Sequence, residues 1–210
     1  MKRIIICMPN FIGDSINTIP AIELIRQVFP QARITLLGPS FLKELFEYDP
    51  RISYIIVSNK RKKNYFRNIF VILRNRYDLG ILFTNTFMTA LLLRLALVKR
   101  LVGYENEGRG FLLNFKRPLN RNVHYINRYA MLVNEWLGNK FTCLPTLKLY
   151  YKQECNFHFA NNNPVIGLYL GGINKRFRRY PEEQAIVLLR MLRNYNLVFI
   201  GDSNDAVVQS

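Results

Sequence analysis

The chain has 210 residues, 50% hydrophobic and 21% charged, with 30 Lys and Arg against 14 Asp and Glu for a formal charge of +16. This composition excludes a disordered, collagenous or disulfide-scaffold protein, and the length fits one typical domain and part of another. The excess of cations predicts attraction to a polyanion, for which nucleic acid, an anionic membrane surface and a phosphorylated glycolipid all qualify.

The opening Met1-Lys2-Arg3 and the apolar run Ile4 to Met8 resemble a signal peptide only superficially. The run stops at Pro9-Asn10 with no small-residue cleavage site after it, so a chain that is not exported is expected. Ile4 to Met8 instead reads as a strand buried on both faces. Ile22, Ile25, Val28 and Phe29 recur at helical spacing and predict one helix from Asp14 to Phe29, stopped by Pro30. Arg33 to Leu37 reads as a second strand, Phe41 to Glu47 as a short helix and Tyr54 to Val57 as a third strand. A basic helix from Asn64 to Arg76 precedes a fourth strand, Leu79 to Phe83. Phe87 to Leu97 is apolar nearly all round, which predicts a buried helix. The run Leu79 to Val98 holds Asn85, Arg94 and three threonines, so a strand and a helix are expected there and not a membrane span. A fifth strand, Arg100 to Gly103, and a long amphipathic helix from Ile126 to Leu137 follow.

Strands alternating with helices predict an α/β fold with a doubly wound, mainly parallel sheet over residues 1–150. Pro145, the polar Lys152-Gln153-Glu154 and the run Asn161-Asn162-Asn163-Pro164 mark residues 151–163 as a linker. The alternation restarts at 164–210, with strand Val165 to Leu170, a Gly171-Gly172 loop, helix Pro181 to Arg193 and strand Leu197 to Ile200. Two strands and a helix are too little for an independent core, so an incomplete second domain is expected.

Cys7, Cys143 and Cys155 have neither disulfide nor metal-ligand spacing and read as reduced thiols of a cytoplasmic protein. The loop after the first strand, Pro9 to Ala21, lies where open α/β sheets bind ligands. It has no three-glycine dinucleotide fingerprint and no Gly-Lys-Ser/Thr, which removes the main support for a dehydrogenase or an ATPase. It does offer Asp14, a carboxylate at a helix start beside Gly13; a helix cap and a catalytic role are both open to it. Arg109 could contact a ligand or hold a turn. His124, alone in its region, reads first as structural.

Six stretches in order resemble the heptosyltransferases of glycosyltransferase family 9. The opening pattern is Ile12-Gly13-Asp14, Thr18-Ile19-Pro20-Ala21 and Phe29-Pro30-Gln31-Ala32-Arg33-Ile34-Thr35-Leu36-Leu37. Tyr77-Asp78-Leu79 then leads into Thr84-Asn85-Thr86-Phe87, followed by Arg100-Leu101-Val102-Gly103-Tyr104 and Gly108-Arg109-Gly110. His124 with Arg128-Tyr129, and Arg178-Arg179-Tyr180-Pro181, complete the series. The resemblance implies a GT-B arrangement of two Rossmann-like domains, the acceptor on the first and the sugar nucleotide on the second. Asp14 then matches the general base of an inverting heptosyl transfer. Arg178, Arg179, Gly171 and Gly172 match the donor-phosphate loop, and Gly13, Asn85, Arg109, Lys62 and Lys63 fall on the acceptor side.

The resemblance implies no metal and no cofactor, ADP-heptose serving as donor substrate. It implies a lipid A–Kdo or heptose-bearing glycolipid as acceptor, at the cytoplasmic face of an anionic inner membrane. Lys60 to Lys63 with Arg67, Arg74 and Arg76 would suit Kdo carboxylates, core phosphates or that leaflet, and equally a solvated basic face. The family continues to an Asp-Ser-Gly-x-x-His-type donor motif, which Gly201-Asp202-Ser203 does not replace; a truncated chain with impaired transfer is therefore expected. Two other readings stand beside it: a GT-B glycosyltransferase with a different sugar donor, and a non-catalytic basic protein binding acidic glycolipid or nucleic acid. The core-like placement of the aromatics and the lack of a recognised module argue against nucleic acid.

Overall fold

The computed structural model describes residues 2–58, 62–119, 122–152, 159–170 and 180–201. The chain divides into two compact units, Met1–Gln153 and Glu154–Ser210. In the first, β1 (Arg3–Cys7), β2 (Arg33–Gly38), β3 (Tyr54–Val57), β4 (Leu79–Leu82), β5 (Arg100–Glu105) and β6 (Phe115–Pro118) form one parallel sheet in the order β3-β2-β1-β4-β5-β6. The α/β, doubly wound fold expected from the alternation is the fold observed.

Side-chain alternation along β1 builds the core in two halves. Ile4, Ile6 and Met8 point to one face and pack with α2 (Ile19–Val28) and α6 (Tyr125–Trp136). Ile5 and Cys7 point to the other and pack with α4 (Lys62–Asn75) and α5 (Phe87–Leu95). Both faces of β1 are dry, which is why its sequence is a continuous apolar run and does not alternate with polar residues.

The structure departs from the expected elements at three places. The single helix expected from Asp14 to Phe29 is two helices, α1 (Ile12–Ile16) and α2, interrupted at Asn17 and Thr18. Pro20 has no N–H to donate to the carbonyl four residues back and its ring clashes there, so an unbroken helix cannot pass. The Thr18 hydroxyl, fully buried, donates instead to the Ser15 carbonyl at 2.7 Å.

The second departure is α5, expected to be buried all round and to reach Leu97. It ends at Leu95, and Leu97 takes a left-handed φ of 54°. Ala90, Leu92 and Leu93 face the sheet, while Met88, Leu95 and Leu97 are exposed. A helix on an open sheet buries one side, however apolar its other side is. The third is β6, not expected from the sequence. Phe115-Lys116-Arg117-Pro118 is a polar edge strand, and a proline at its end blunts that edge.

The second unit pairs β7 (Val165–Leu168) in parallel with β8 (Asn196–Phe199) through α7 (Glu182–Met191). The Asn196 amide holds the entry to β7 by donating to Asn161 Oδ1 at 2.8 Å and to the Asn163 carbonyl at 2.9 Å.

A buried charge cluster fastens the first unit below the sheet. Arg51 donates to both carboxylate oxygens of Asp49, at 2.8 and 2.6 Å, and to Glu23 Oε2 of α2 at 3.0 Å. A further bond to the Lys148 carbonyl, 3.0 Å, ties in the segment after α6, and the Tyr150 ring lies over the guanidinium. The Asp49 side chain is 0% exposed and that of Arg51 5%. Arg51→Ala strands a dry carboxylate, so we expect a loss of about 3–5 kcal/mol in urea unfolding. An unchanged midpoint would contradict this role.

Candidate active site

The strand order reverses between β1 and β4, where the connections leave to opposite sides and open a crevice at the strand C-termini. Three loops converge on this edge, following β1, β4 and β5. Asp14 is the third residue of α1, on the first of them. The helix cap is Phe11, whose backbone is extended and which forms no side-chain cap bond. The capping role open to Asp14 is therefore not the one it plays. Among the described residues its carboxylate, half-buried, has no hydrogen-bond or ion-pair partner.

Two hydroxyls hold α1 against β1 and so place that carboxylate. Ser15 Oγ, buried, donates to the Pro9 carbonyl at 3.3 Å, and Thr18 closes the turn behind it. Gly13, exposed beside Asp14, would meet nothing within 4 Å if it carried a Cβ. The fold itself does not require a glycine there; the backbone is simply left bare to an approaching group.

Arg109 organises the other two loops. It opens a short 3-10 helix, Arg109–Leu112, and is 0% exposed. Its Nε donates to the Tyr104 carbonyl at 2.9 Å and its Nη1 to the carbonyls of Thr84 and Thr86 at 2.7 and 3.2 Å. Nη2 reaches Asn85 Oδ1 at 3.3 Å. The loop after β4 is thus wrapped around a guanidinium rooted at the end of β5. Gly103 leaves the space, since a Cβ there would lie 3.4 Å from Arg109 Nη2 and 3.3 Å from Leu82. Burial pushes the Arg109 pKa down to about 10, opposed by Cys7 and Glu107. Glu107 also accepts from the Phe87 N–H at 2.9 Å, satisfying the start of α5, and the Asn106 amide donates to the Asn85 carbonyl at 3.1 Å.

Of the sequence-predicted acceptor residues, Gly13 and Asn85 lie on this edge, while Arg109 lies beneath it with its guanidinium turned onto backbone carbonyls. Asn85 is half-buried; its oxygen serves Arg109, and its Nδ2 has no partner among the described residues. Lys62 and Lys63 begin α4, with side chains outside the described residues, as are Gly171, Gly172, Arg178 and Arg179. His124 precedes α6, and its carbonyl accepts from the Arg128 N–H at 3.0 Å.

A cleft of about 400 Å³ at the same edge was not expected from the sequence. Asn10, Ser58, Thr84, Thr86 and Thr89 line it above an apolar floor that includes Cys7 and Leu92. Thr84 Oγ1 is buried there with no partner among the described residues. Each lining hydroxyl or amide sits just beyond a strand or at the start of α5, so correct strand ends would have located them. Burial raises the Cys7 thiol to about 12, with Arg109 pulling the other way, so this cysteine is packing and not a nucleophile.

The sequence profile of glycosyltransferase family 9 (heptosyltransferase) matches residues 67–209, well over half of the chain. The chain belongs to glycosyltransferase family 9. The lipooligosaccharide heptosyltransferase 2 of Haemophilus ducreyi is 22% identical over 98% of the chain and 65% of its own length. The solved E. coli ADP-heptose LPS heptosyltransferase II superposes with a TM-score of 0.82 at 22% identity, covering 99% of this chain and 66% of that one. The E. coli heptosyltransferase WaaC with ADP-2-deoxy-2-fluoro heptose superposes at 0.73, with 15% identity, over 98% of this chain and 71% of that one. These likenesses establish a GT-B fold. This family 9 chain spans a little under two thirds of the length of the relatives it matches first. Asp14 precedes the profile-matched residues but falls within the stretch shared with these relatives.

Lysine cannot reach four acceptors with one ammonium, so Arg109→Lys is expected to cost about 2–4 kcal/mol and to speed amide hydrogen exchange in the 84–87 loop. Unchanged stability and exchange would show that the loop holds itself.

Proposed function

We propose that the chain is a heptosyltransferase domain that transfers heptose from ADP-heptose to an acceptor hydroxyl of the lipopolysaccharide inner core, with Asp14 as general base. The observation carrying this is the half-buried Asp14 carboxylate, free of any partner among the described residues, at the sheet switch point of a family 9 chain. A relative's structure with ADP-2-deoxy-2-fluoro heptose supports the choice of donor. Asp14 takes the proton of the acceptor hydroxyl as its oxygen attacks the anomeric carbon. The bond to the ADP oxygen breaks, ADP departs with that electron pair, and the configuration inverts.

Each remaining part of the site has a place in this reaction. Gly13 lets the acceptor approach the α1 backbone, and Asn85 Nδ2 and the hydroxyl-lined cleft supply donors and acceptors that suit a sugar. Lys62 and Lys63 carry charge that suits acceptor anions. Arg178, Arg179, Gly171 and Gly172 keep the donor-phosphate role that the family resemblance gives them, with the arginine charge suited to the negative charge developing on the departing ADP. No cofactor beyond the donor enters, and no metal. The acceptor is lipid-borne, so the reaction takes place at the cytoplasmic surface of the inner membrane. Contact with the lipid is peripheral in this reading; among the described residues no helix is long and apolar enough to cross a membrane.

The test supplies the purified chain with ADP-heptose, ADP-glucose or a UDP-sugar, together with Kdo-lipid A or its single-heptose derivative, and follows product mass. A heptose adduct formed only from ADP-heptose, and absent with Asp14→Ala, is expected. Transfer from another donor in preference to ADP-heptose would overturn the reading.

A further inference from the structure

The sequence between β3 and the end of β5 is rich in cations and poor in acids. Between Asn59 and Tyr104 ten residues are Lys or Arg and one, Asp78, is acidic. That stretch supplies α4 and α5, the two helices that cover the same face of the sheet. The opposite layer is balanced by contrast: α2 carries Glu23 with Arg26, and α6 carries Arg128 with Glu135.

The outer surface of the α4–α5 layer combines these cations with apolar side chains. Arg67, Phe70 and Arg74 follow one another at helical spacing along exposed α4, and Phe70 is 72% exposed. On α5, Met88 and Leu95 are exposed, and Leu97 beyond its end is 71% exposed. The C-terminal end of α4 and the segments that lead into β4 and β5 line a groove of about 540 Å³, with Leu73, Tyr77 and Leu97 on its walls and Arg74, Arg76 and Lys99 around it. Asp78 is already held by Lys99, at 2.6 Å. Among the described residues none of Arg67, Arg74 and Arg76 meets a carboxylate.

Exposed Phe and Leu among unpaired arginines are poorly matched to water and well matched to the boundary between anionic headgroups and acyl chains. Guanidinium stems can lie along the apolar surface while their heads reach phosphate. We infer that the α4–α5 layer is a docking face for an anionic lipid bilayer, with Phe70 and Leu97 entering the headgroup region and Arg67, Arg74 and Arg76 holding lipid phosphates. The inference takes from the proposed function only that the acceptor is lipid-borne. Thr89 and Leu92 of α5 also line the cleft at the strand C-termini, so the docking layer and the cleft share a helix, with Arg76 and Leu97 toward the N-terminal edge of the sheet.

The test is co-sedimentation of the chain with vesicles of phosphatidylcholine alone, or of phosphatidylcholine and phosphatidylglycerol, at two salt concentrations. Strong binding to the anionic vesicles only, weakened by salt, is expected. Arg67→Gln/Arg74→Gln is expected to bind about thirtyfold more weakly, since each cation near an anionic surface contributes about fivefold. Phe70→Gln/Leu97→Asn, which alters exposed positions and gives Leu97's left-handed backbone a residue that accepts it, is expected to lose about tenfold or more while keeping the wild-type Tm. Asp14→Ala is expected to bind vesicles like the wild type, which separates docking from transfer: either can fail while the other holds. Equal binding to neutral and anionic vesicles, wild-type binding by both double variants, or displacement from vesicles by equimolar duplex DNA would each overturn the proposal, the last in favour of a nucleic-acid surface.

Discussion

A buried guanidinium bonded, among the described residues, to carbonyl and amide oxygens and to no carboxylate is the constraint on which the candidate site depends. Arg109 carries its charge into the dry end of the sheet and is held there by three carbonyls and an amide oxygen. A buried charge is tolerated only when its hydrogen bonds are met, so the loops that supply them cannot stray. Through Thr84, Asn85 and Thr86 the β4 loop is fixed; through Tyr104 the end of β5 is fixed; and Asn106 and Glu107 pass the constraint on to Asn85 and α5. The Asn85 amide and the buried Thr84 hydroxyl are therefore presented at fixed positions on the crevice edge, opposite the loop that carries Asp14.

On that opposite side the carboxylate is held by different means. A proline that forbids a continuous helix and two hydroxyls that bond locally detach α1 from α2 and leave Asp14 on a short helix against β1. Among the described residues no side chain pairs with the Asp14 carboxylate. Groups kept half-buried and unpaired serve no packing purpose, and such groups collect where a substrate completes the bonding. The contrast with Asp49, closed on all sides by Arg51, shows what a carboxylate looks like in this protein when its work is structural.

Much of the fold was legible because its signals are local. Ile4 to Met8 could only be a doubly buried strand, and the alternation of strands with helices then led to a parallel sheet. The break at Thr18 was less visible, because apolar periodicity runs through it and only Pro20 objects. β6 was illegible: Lys116 and Arg117 give an edge strand no hydrophobic pattern, and its existence depends on β5 beside it. For the site, Asp14 stood out through the loop that follows β1, whereas Gly13 and Asn85 were pointed to only by the family resemblance. The inward turn of Arg109 was not legible, since burial of a lone arginine is decided by carbonyls that tertiary structure assembles. The same holds for the cleft, whose threonines look like ordinary loop residues until β1 and β4 are placed side by side.

The most direct measurement compares wild type with Asp14→Asn for donor binding and for transfer in the same preparation. The variant keeps the shape of the side chain and removes its basicity. A base role predicts an ADP-heptose Kd within about twofold of wild type and a kcat lower by at least about a hundredfold, the range of general-base contributions. Transfer at the wild-type rate, or loss of donor binding in step with loss of transfer, would contradict Asp14 as the group that takes the proton.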